Sequence, residues 1–397
     1  MRYIDIFAGC GGLSVGLQNA GWQGLFAIEK NRDAFSTLKY NLIDSQNHFN
    51  WPEWLDVCSH DIKEVLKKNK DDLEALQGSV DLVAGGPPCQ GFSLAGKRDT
   101  KDERNKLVKS YLEFIEYVKP KALILENVHG FTVNFKGNRG SIKKYSTYVV
   151  EKLEELEYKV ASYVVDVSEF GVPQKRKRFI LIAMRDKDPE LVFQRLRQNR
   201  ASFCTEHGIG MKTTIREALS DLEKKNGECL SPDSKNFKAG LYGKAESGYQ
   251  RLMRKSLSDL STAVDSHRFV NHSKTIVKLH EDLLAKAPAG KRIIPSDGYV
   301  ENLKRRGVTV LDANAQAPTI TSIPDELVHY KEPRILTVRE QARIQSFPDW
   351  FEFKGKYTSG GKLRKKEVPR YTQVGNAVPP LFAEQVGKAV MEVLQNG

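Results

Sequence analysis

The stretch "YIDIFAGCGGLSVGL" at residues 3–17 joins an apolar run, a turn containing Gly9, Gly11 and Gly12, and a second apolar pattern at helical spacing. Tyr3–Ala8 reads as a buried strand and the residues from Gly12 onward as a helix. Glycines at such a junction let backbone N–H groups approach a nucleotide or an amino-acid carboxylate at a helix N-terminus. Gly9-x-Gly11-x-x-Ser14 comes close to the dinucleotide fingerprint, a weak pattern by itself. The second strand, "LFAIE", ends on Glu29, where an acid can accept both hydroxyls of a ribose. Turn and acid together point to an adenosine-type cofactor without separating a nicotinamide dinucleotide from S-adenosylmethionine; the plain alternative is a tight turn and a surface acid. Asp61 in "HDI" can accept from an adenine amino group or cap the helix "IKEVLKK", and the two roles are compatible.

Outward from this unit the pattern repeats. "VDLVAGG", "ALILENV", "YVVDV" and "RFILIAM" read as further strands, and "DAFSTLKYNL", "DIKEVLKKNKDDLEALQ", "KLVKSYLEFIEYVK" and "YSTYVVEKLEELEY" as helices between them. Alternation of this kind predicts an α/β fold with a mostly parallel, doubly wound sheet. From Arg185 to about Ala317 the sequence turns polar, basic and irregular, and reads as a second module or large insertion. Order returns at "TVREQARIQ", where Thr337 stands three residues before Glu340 at capping-box spacing. A last helix, "PPLFAEQVGKAVMEVLQ", opens on prolines suited to a first turn.

The 397 residues are long enough for two or three domains. The balance is basic, with 62 Lys and Arg against 50 Asp and Glu, a formal charge of +12, which favours polyanionic partners. Five widely spaced cysteines with no CxxC pair support neither a disulfide framework nor a zinc site. No signal peptide and no bilayer-length apolar stretch are read in the sequence, so a cytoplasmic protein with no membrane partner is expected. In "GGPPCQGFS" at 85–93, Cys89 follows two glycines and two prolines directly after an apolar strand. Taken alone, that is a tight turn with a small packing residue.

Its companions change the reading. "DIFAGCGGLS", "GGPPCQGFS", "ENV" at 126–128, "QKRKR" at 174–178, "LTVREQARIQSFP" and "QVGNAVPP" at 373–380, in this order, resemble the cytosine-5 DNA methyltransferases. The resemblance covers nearly all of the chain outside residues 185–317, where the family has its variable region. It implies the S-adenosylmethionine-dependent, Rossmann-like methyltransferase fold with a smaller target-recognition domain, S-adenosylmethionine as cofactor, S-adenosylhomocysteine as product, and no metal.

The chemistry accounts for the residue types. Carbon 5 of cytosine is a poor nucleophile until a thiolate adds at carbon 6. By resemblance Cys89 is that nucleophile, and Pro87-Pro88 stiffen its mount. Glu126 matches the glutamate at the N3 edge of the ring, where burial would keep it protonated long enough to donate. Arg178, with Arg176 beside it, matches the arginine at O2; Lys175 and Lys177 read as a solvated basic turn. The resemblance places the cofactor on Phe7, Ala8, Gly9, Cys10, Gly11, Gly12 and Leu13, its ribose on Glu29, and its adenine near Asp61 and Ile62. Pro88, Leu107, Asn376 and Ala377 complete the pocket. A cytosine in duplex DNA must be flipped out to be reached, at a cost of roughly a few kcal/mol. The resemblance implies that the segment "FSLAGKRDTKDERNK" closes over it; Lys97 and Arg98 are candidates for phosphate contacts, with a plain solvated loop as the alternative.

The implied organisation is a catalytic domain at 1–184, a target-recognition domain at 185–371 and a C-terminal segment at 372–397 returning to the first. Within the middle region "RLMRK" at 251–255 and "KRRG" at 304–307 are candidates to grip phosphate, and "KGKYTSGGKLRKKEVPR" at 354–370 is a candidate DNA-facing hinge. The first motif begins at residue 4, which favours a stand-alone prokaryotic enzyme, paired with a restriction endonuclease or acting as an orphan; the resemblance implies double-stranded DNA as substrate and a monomer. Two rivals differ in class: an RNA cytosine-5 methyltransferase, whose branch carries a Cys-Phe-Thr signature absent here, and a catalytically silent DNA-binding regulator.

Overall fold

The computed structural model describes residues 1–88, 105–132, 145–257, 263–301, 303, 307–359, 363 and 367–396. They fall into two compact units, the first formed by 1–167, 177–200 and 382–397 and the second by 168–176 and 201–381.

The first unit is built on six strands: β1 Arg2–Ile6, β2 Gln23–Ile28, β3 Leu82–Gly85, β4 Ala122–Val128, β5 Lys159–Asp166 and β6 Lys177–Met184. Their order in the sheet is β2-β1-β3-β4-β6-β5. The first four run parallel, and β6 is inserted antiparallel to both β4 and β5. All six are the expected strands, and the mostly parallel α/β architecture is the expected one. β3 and the greater part of β1, β2 and β6 are buried on both faces, which is why they read as continuous apolar runs rather than as alternation. β5 is an edge strand, and its Tyr163 and Val164 are exposed.

Among the described residues, seven helices follow the strands in chain order: α1 Gly12–Asn19, α2 Arg32–Leu38, α3 Ile62–Lys68, α4 Lys70–Glu74, α5 Asn105–Val118, α6 Tyr145–Glu155 and α7 Glu190–Glu206. Two expected helices are altered. The pattern at 33–42 gives way after Leu38 to a π-helical turn, Lys39–Ser45. The pattern at 61–77 breaks at Asn69, which ends α3 and precedes α4. The core between sheet and helices joins Ile4, Phe26, Val83, Leu123 and Leu181 to Phe114 and Ile115 of α5.

The second unit contains α8 Ile215–Leu219, α9 Gly248–Met253, α10 Lys274–Lys286, α11 Val338–Ile344 and α12 Arg370–Asn376. With them stand a hairpin of β7 Glu228–Leu230 and β8 Lys238–Gly240, and a three-stranded sheet of β9 Arg292–Ile293, β10 Val308–Val310 and β11 Leu327–Val328. The region read as pattern-poor thus holds regular structure, including the 17-residue α7 that begins in the first unit. Charges separate the buried Val192, Phe193, Leu196 and Phe203 of that helix, which is why no apolar face stands out in its sequence. A satellite core of Leu283, Ile293, Val308, Val310 and Val328 supports the three-stranded sheet. The final helix α13, Pro380–Gln395, brings residues from Phe382 onward back to the first unit. There Trp22 Nε1 donates to Gly387 O at 3.0 Å, and a Cβ on Gly387 would stand 2.9 Å from Leu17 Cδ2, so α13 lies close with little room for a side chain there.

The capping box expected at Thr337 and Glu340 is present. The charges behind it are buried. Arg343 is fully enclosed and donates to Asp349, Asp221 and the Ala218 carbonyl; burial works against its charge, but Asp221 and Asp349 hold the guanidinium well above its ordinary pKa. Arg254 of "RLMRK" is also buried, paired with Asp221 and donating to Gly243 O, so its guanidinium is an internal bond rather than a phosphate grip. Removing one partner of a buried charge network leaves the others uncompensated, which costs about 3–5 kcal/mol. Arg343→Ala is therefore expected to lose that much stability in urea unfolding; a loss below about 1 kcal/mol would contradict the assignment of this cluster as a structural keystone.

Candidate active site

The first unit holds the site's acidic and glycine-rich parts. After β1 the chain turns through Phe7 at φ 61°, Gly9 at φ 58° and Gly11 at φ 96°, all in the left-handed region. Phe7 is a non-glycine residue there, a strained conformation of the kind that collects at functional sites. Gly11 caps α1, and a Cβ on it would stand 3.0 Å from Leu42 Cδ1. Gly9 has open space where its side chain would be. The Gly9 N–H donates to Glu29 Oε2 at 2.9 Å, and Asn31 N–H donates to Oε1 at 2.7 Å. Burial raises the Glu29 pKa, and these N–H groups oppose the rise. The turn and the end of β2 are thus one object, with a carboxylate fixed beside an unfilled space.

Asp61 accepts from Lys63 N–H at the start of α3, as the cap reading expects, and pairs with Lys30 at 2.8 Å. Against the upward push of partial burial, Lys30 and the Lys63 N–H hold its pKa below the ordinary value. Ile62 is buried, Pro88 exposed and Leu107 half-buried against the core. Ala8, Cys10, Gly12 and Leu13 are buried in or beside the turn. Burial pushes the Cys10 thiol up to about 12, which removes it as a rival nucleophile.

Asp5, on β1 just before the turn, was not singled out in the sequence. It is 1 % exposed, and burial pushes its carboxyl up to about 7, with Ser14 Oγ donating to Oδ2 and Glu29 adding a further upward push. An unfolded aspartate titrates near about 3.9, so between roughly pH 4 and 7 the folded state binds the extra proton. The stability this confers is complete below that window and lost as pH rises through about 7. Asp5→Asn, which keeps an acceptor for Ser14, is expected to flatten the fall in Tm between pH 5 and 8. An unchanged slope in thermal melts would refute the account.

Glu126 and Arg178 lie on neighbouring strands. Val128 of β4 faces Arg178 of β6 in the antiparallel register, and Glu126 lies two residues back on the same face of β4. That register brings Arg178 Nε to 2.8 Å from Glu126 Oε1, with both side chains largely enclosed, so Glu126 is paired and not isolated. Beneath them a Cβ on Gly86 would stand 2.8 Å from Glu126 O, and one on Gly85 would collide with Ile6 O. Asn127 Nδ2 donates to Pro87 O at 3.1 Å. "ENV" therefore holds both the carboxylate and the strand end that leads to Cys89. Cys89, Lys97 and Arg98 lie outside the described residues, as does "KRRG" except for Gly307.

Other sequence blocks meet in the second unit. Arg176 is 2 % exposed, and its guanidinium donates to Ile320 O at 2.9 Å, Gly375 O at 3.0 Å and Ala377 O at 3.2 Å. It is committed to main-chain carbonyls. Gln174 accepts from Ile320 N–H at 2.8 Å and donates to Gln345 Oε1 at 2.8 Å, and Gln345 Nε2 donates to Val374 O at 2.7 Å. Asn376 is exposed and Ala377 buried in this unit. In the 354–370 run, Lys356 pairs within the run with Glu367 at 2.6 Å, and Arg370 pairs with Asp233 between β7 and β8 at 2.6 Å, so both cations are engaged in internal ion pairs.

The family model for C-5 cytosine-specific DNA methylases matches residues 1–392. The chain belongs to that family. It is a DNA cytosine-5 methyltransferase, similar over its whole length to the Type II methyltransferase M.DdeI of Desulfomicrobium norvegicum, with 32 % identity over 100 % of this chain and 90 % of the relative. Type II methyltransferase M.XorII of Xanthomonas oryzae pv. oryzae is 30 % identical over 99 % of this chain and 85 % of its own. Among solved structures, a DNA modification methyltransferase encoded within an Escherichia coli prophage shares the fold at a TM-score of 0.65 and 22 % identity, covering 100 % of this chain and 99 % of its own. Among the described residues no helix of this methyltransferase is long and apolar enough to cross a membrane.

Proposed function

We propose that this methyltransferase adds a methyl group to carbon 5 of a flipped-out cytosine in duplex DNA through a covalent Cys89 adduct, as the modification enzyme of a restriction-modification system. The Glu126–Arg178 pair beside the mount of Cys89 is the observation that carries this reading. A cytosine seated there presents N3 to the carboxyl and O2 to the guanidinium, the two atoms that gain electron density when sulfur adds to carbon 6. Glu126 protonates N3 during addition, and Arg178 stabilises the charge at O2 and holds the carboxyl in place. Carbon 5 then takes the methyl group, a base removes the proton there, and the thiolate leaves to restore the ring.

S-adenosylmethionine, bound, supplies the electrophilic methyl. The residues fit it: Gly9 leaves open space, Glu29 offers a carboxylate to the ribose hydroxyls, and Asp61 with Ile62 suits the adenine. The family resemblance also assigns Pro88, Leu107, Asn376 and Ala377 to the cofactor, and Arg176 fixes the backbone that carries Asn376. The second unit reads the recognition sequence, and the protein works as a monomer on DNA in the cytoplasm of a prokaryotic cell. Support for the restriction-modification role comes from relatives named Type II methyltransferases.

The purified protein is expected to transfer labelled methyl groups from S-adenosylmethionine to duplex DNA and not to tRNA. Transfer to tRNA alone would support an RNA methyltransferase, and transfer to neither a silent DNA-binding regulator. Bisulfite sequencing of DNA from a host expressing the gene identifies the cytosine and its context, and a neighbouring endonuclease gene decides the biological pairing.

A further inference from the structure

We infer that Gln345 is a positioning residue for the cofactor, acting through the backbone of Val374–Ala377. Gln345 is fully buried at the end of α11. Its Oε1 accepts from Gln174 Nε2 at 2.8 Å, while its Nε2 donates to Val374 O at 2.7 Å and reaches Ala377 O at 3.4 Å. Gln174 in turn accepts from Ile320 N–H at 2.8 Å. One chain of amides therefore links residue 320, the segment at 174 and the turn at 374–377. Only a side chain with a donor and an acceptor at opposed positions can stand at its centre.

The next residue strengthens the case. Ser346 is a buried non-glycine at φ 61°, and its Oγ accepts from Leu381 N–H at 3.1 Å. A left-handed serine is costly unless its surroundings impose it. Here the strain places two consecutive side chains, Gln345 and Ser346, on the two ends of the segment that presents Asn376. That segment also receives Arg176 at Gly375 O and Ala377 O, and a Cβ on Gly375 would stand 2.5 Å from Thr321 O. Asn376 is the exposed residue in this fixed turn. The inference rests on the reading of Asn376 and Ala377 as cofactor-pocket residues.

Gln345→Met keeps the volume and removes both amide bonds. With the full-length enzyme, it is expected to raise the KM for S-adenosylmethionine about tenfold or more, the size set by losing the buried bond that holds Val374 O, and to leave the KM for DNA within about twofold. Because Gln345 acts through Asn376, Gln345→Met in an Asn376→Ala background should add less than about twofold, which a merely structural role would not produce. If Gln345→Met does not fold, Gln345→Glu, which retains an acceptor for Gln174 but cannot donate to Val374 O, is measured in the same way. Should Asn376→Ala leave the KM for S-adenosylmethionine unchanged, the pocket reading fails. A rise with Asn376→Ala, together with no rise for the Gln345 variants or equal rises in both KM values, overturns the positioning role alone.

Discussion

Cys89→Ala is expected to abolish methyl transfer, lowering the single-turnover rate by on the order of 10⁴-fold or more. The size follows from the substrate. Carbon 5 of cytosine has no useful nucleophilicity until the 5,6 bond is opened by addition at carbon 6, and no other group in the proposed site can add there and leave again. Cys10 cannot replace it, because burial pushes that thiol up to about 12 and leaves it a thiol at neutral pH. The backbone before Cys89 is fixed independently of its side chain: Gly85 against Ile6, Gly86 against Glu126, and Pro87 O held by Asn127. Substitution therefore removes the sulfur without moving its mount, and the variant should still bind S-adenosylmethionine and duplex DNA. Labelled-methyl transfer together with a DNA-binding titration checks both halves. Retention of more than about a tenth of the rate would sink the covalent mechanism.

β1, β2, β3 and β6 were legible because burial on two faces leaves its mark on nearly every residue of a strand. Glycine at 9 and 11 was legible for a related reason, since a left-handed turn selects for it locally. The Glu126–Arg178 bond was not. It depends on the register between β4 and an antiparallel β6, which neither strand encodes by itself. In "REQAR", Arg339, Glu340 and Arg343 are buried, because Asp265 and Asp221 reach the arginines from far away in the chain while Arg334 and Asp349 pair with Glu340 and Arg343 from within the same segment. Arg176 shows the same limit from the other side. Two arginines in "QKRKR" sit two residues apart, yet one donates to carbonyls of the second unit and the other pairs with Glu126 in the first. The family resemblance singled out both, and the fold gives them different partners.

Glu126→Gln carries the second large effect. The amide keeps an oxygen for Arg178 Nε and is close to the carboxylate in size, so the 2.8 Å contact and the packing against Gly86 should survive with little loss of stability. What is lost is the acid: an amide can approach N3 but cannot deliver a proton as sulfur adds to carbon 6. Removing a positioned proton donor costs about 10²–10⁴-fold in rate. Glu126→Gln is therefore expected to lower kcat in that range with the KM for S-adenosylmethionine nearly unchanged, measured as labelled-methyl incorporation at saturating DNA. Arg178→Ala should fall comparably, by a different route, since it removes the cation at O2 and leaves Glu126 without its partner. If the two side chains act as one unit, the double variant will be little worse than the poorer single one. Full multiplication of the two losses would mean that Glu126 and Arg178 act separately, and the paired geometry would then not be the basis of the chemistry.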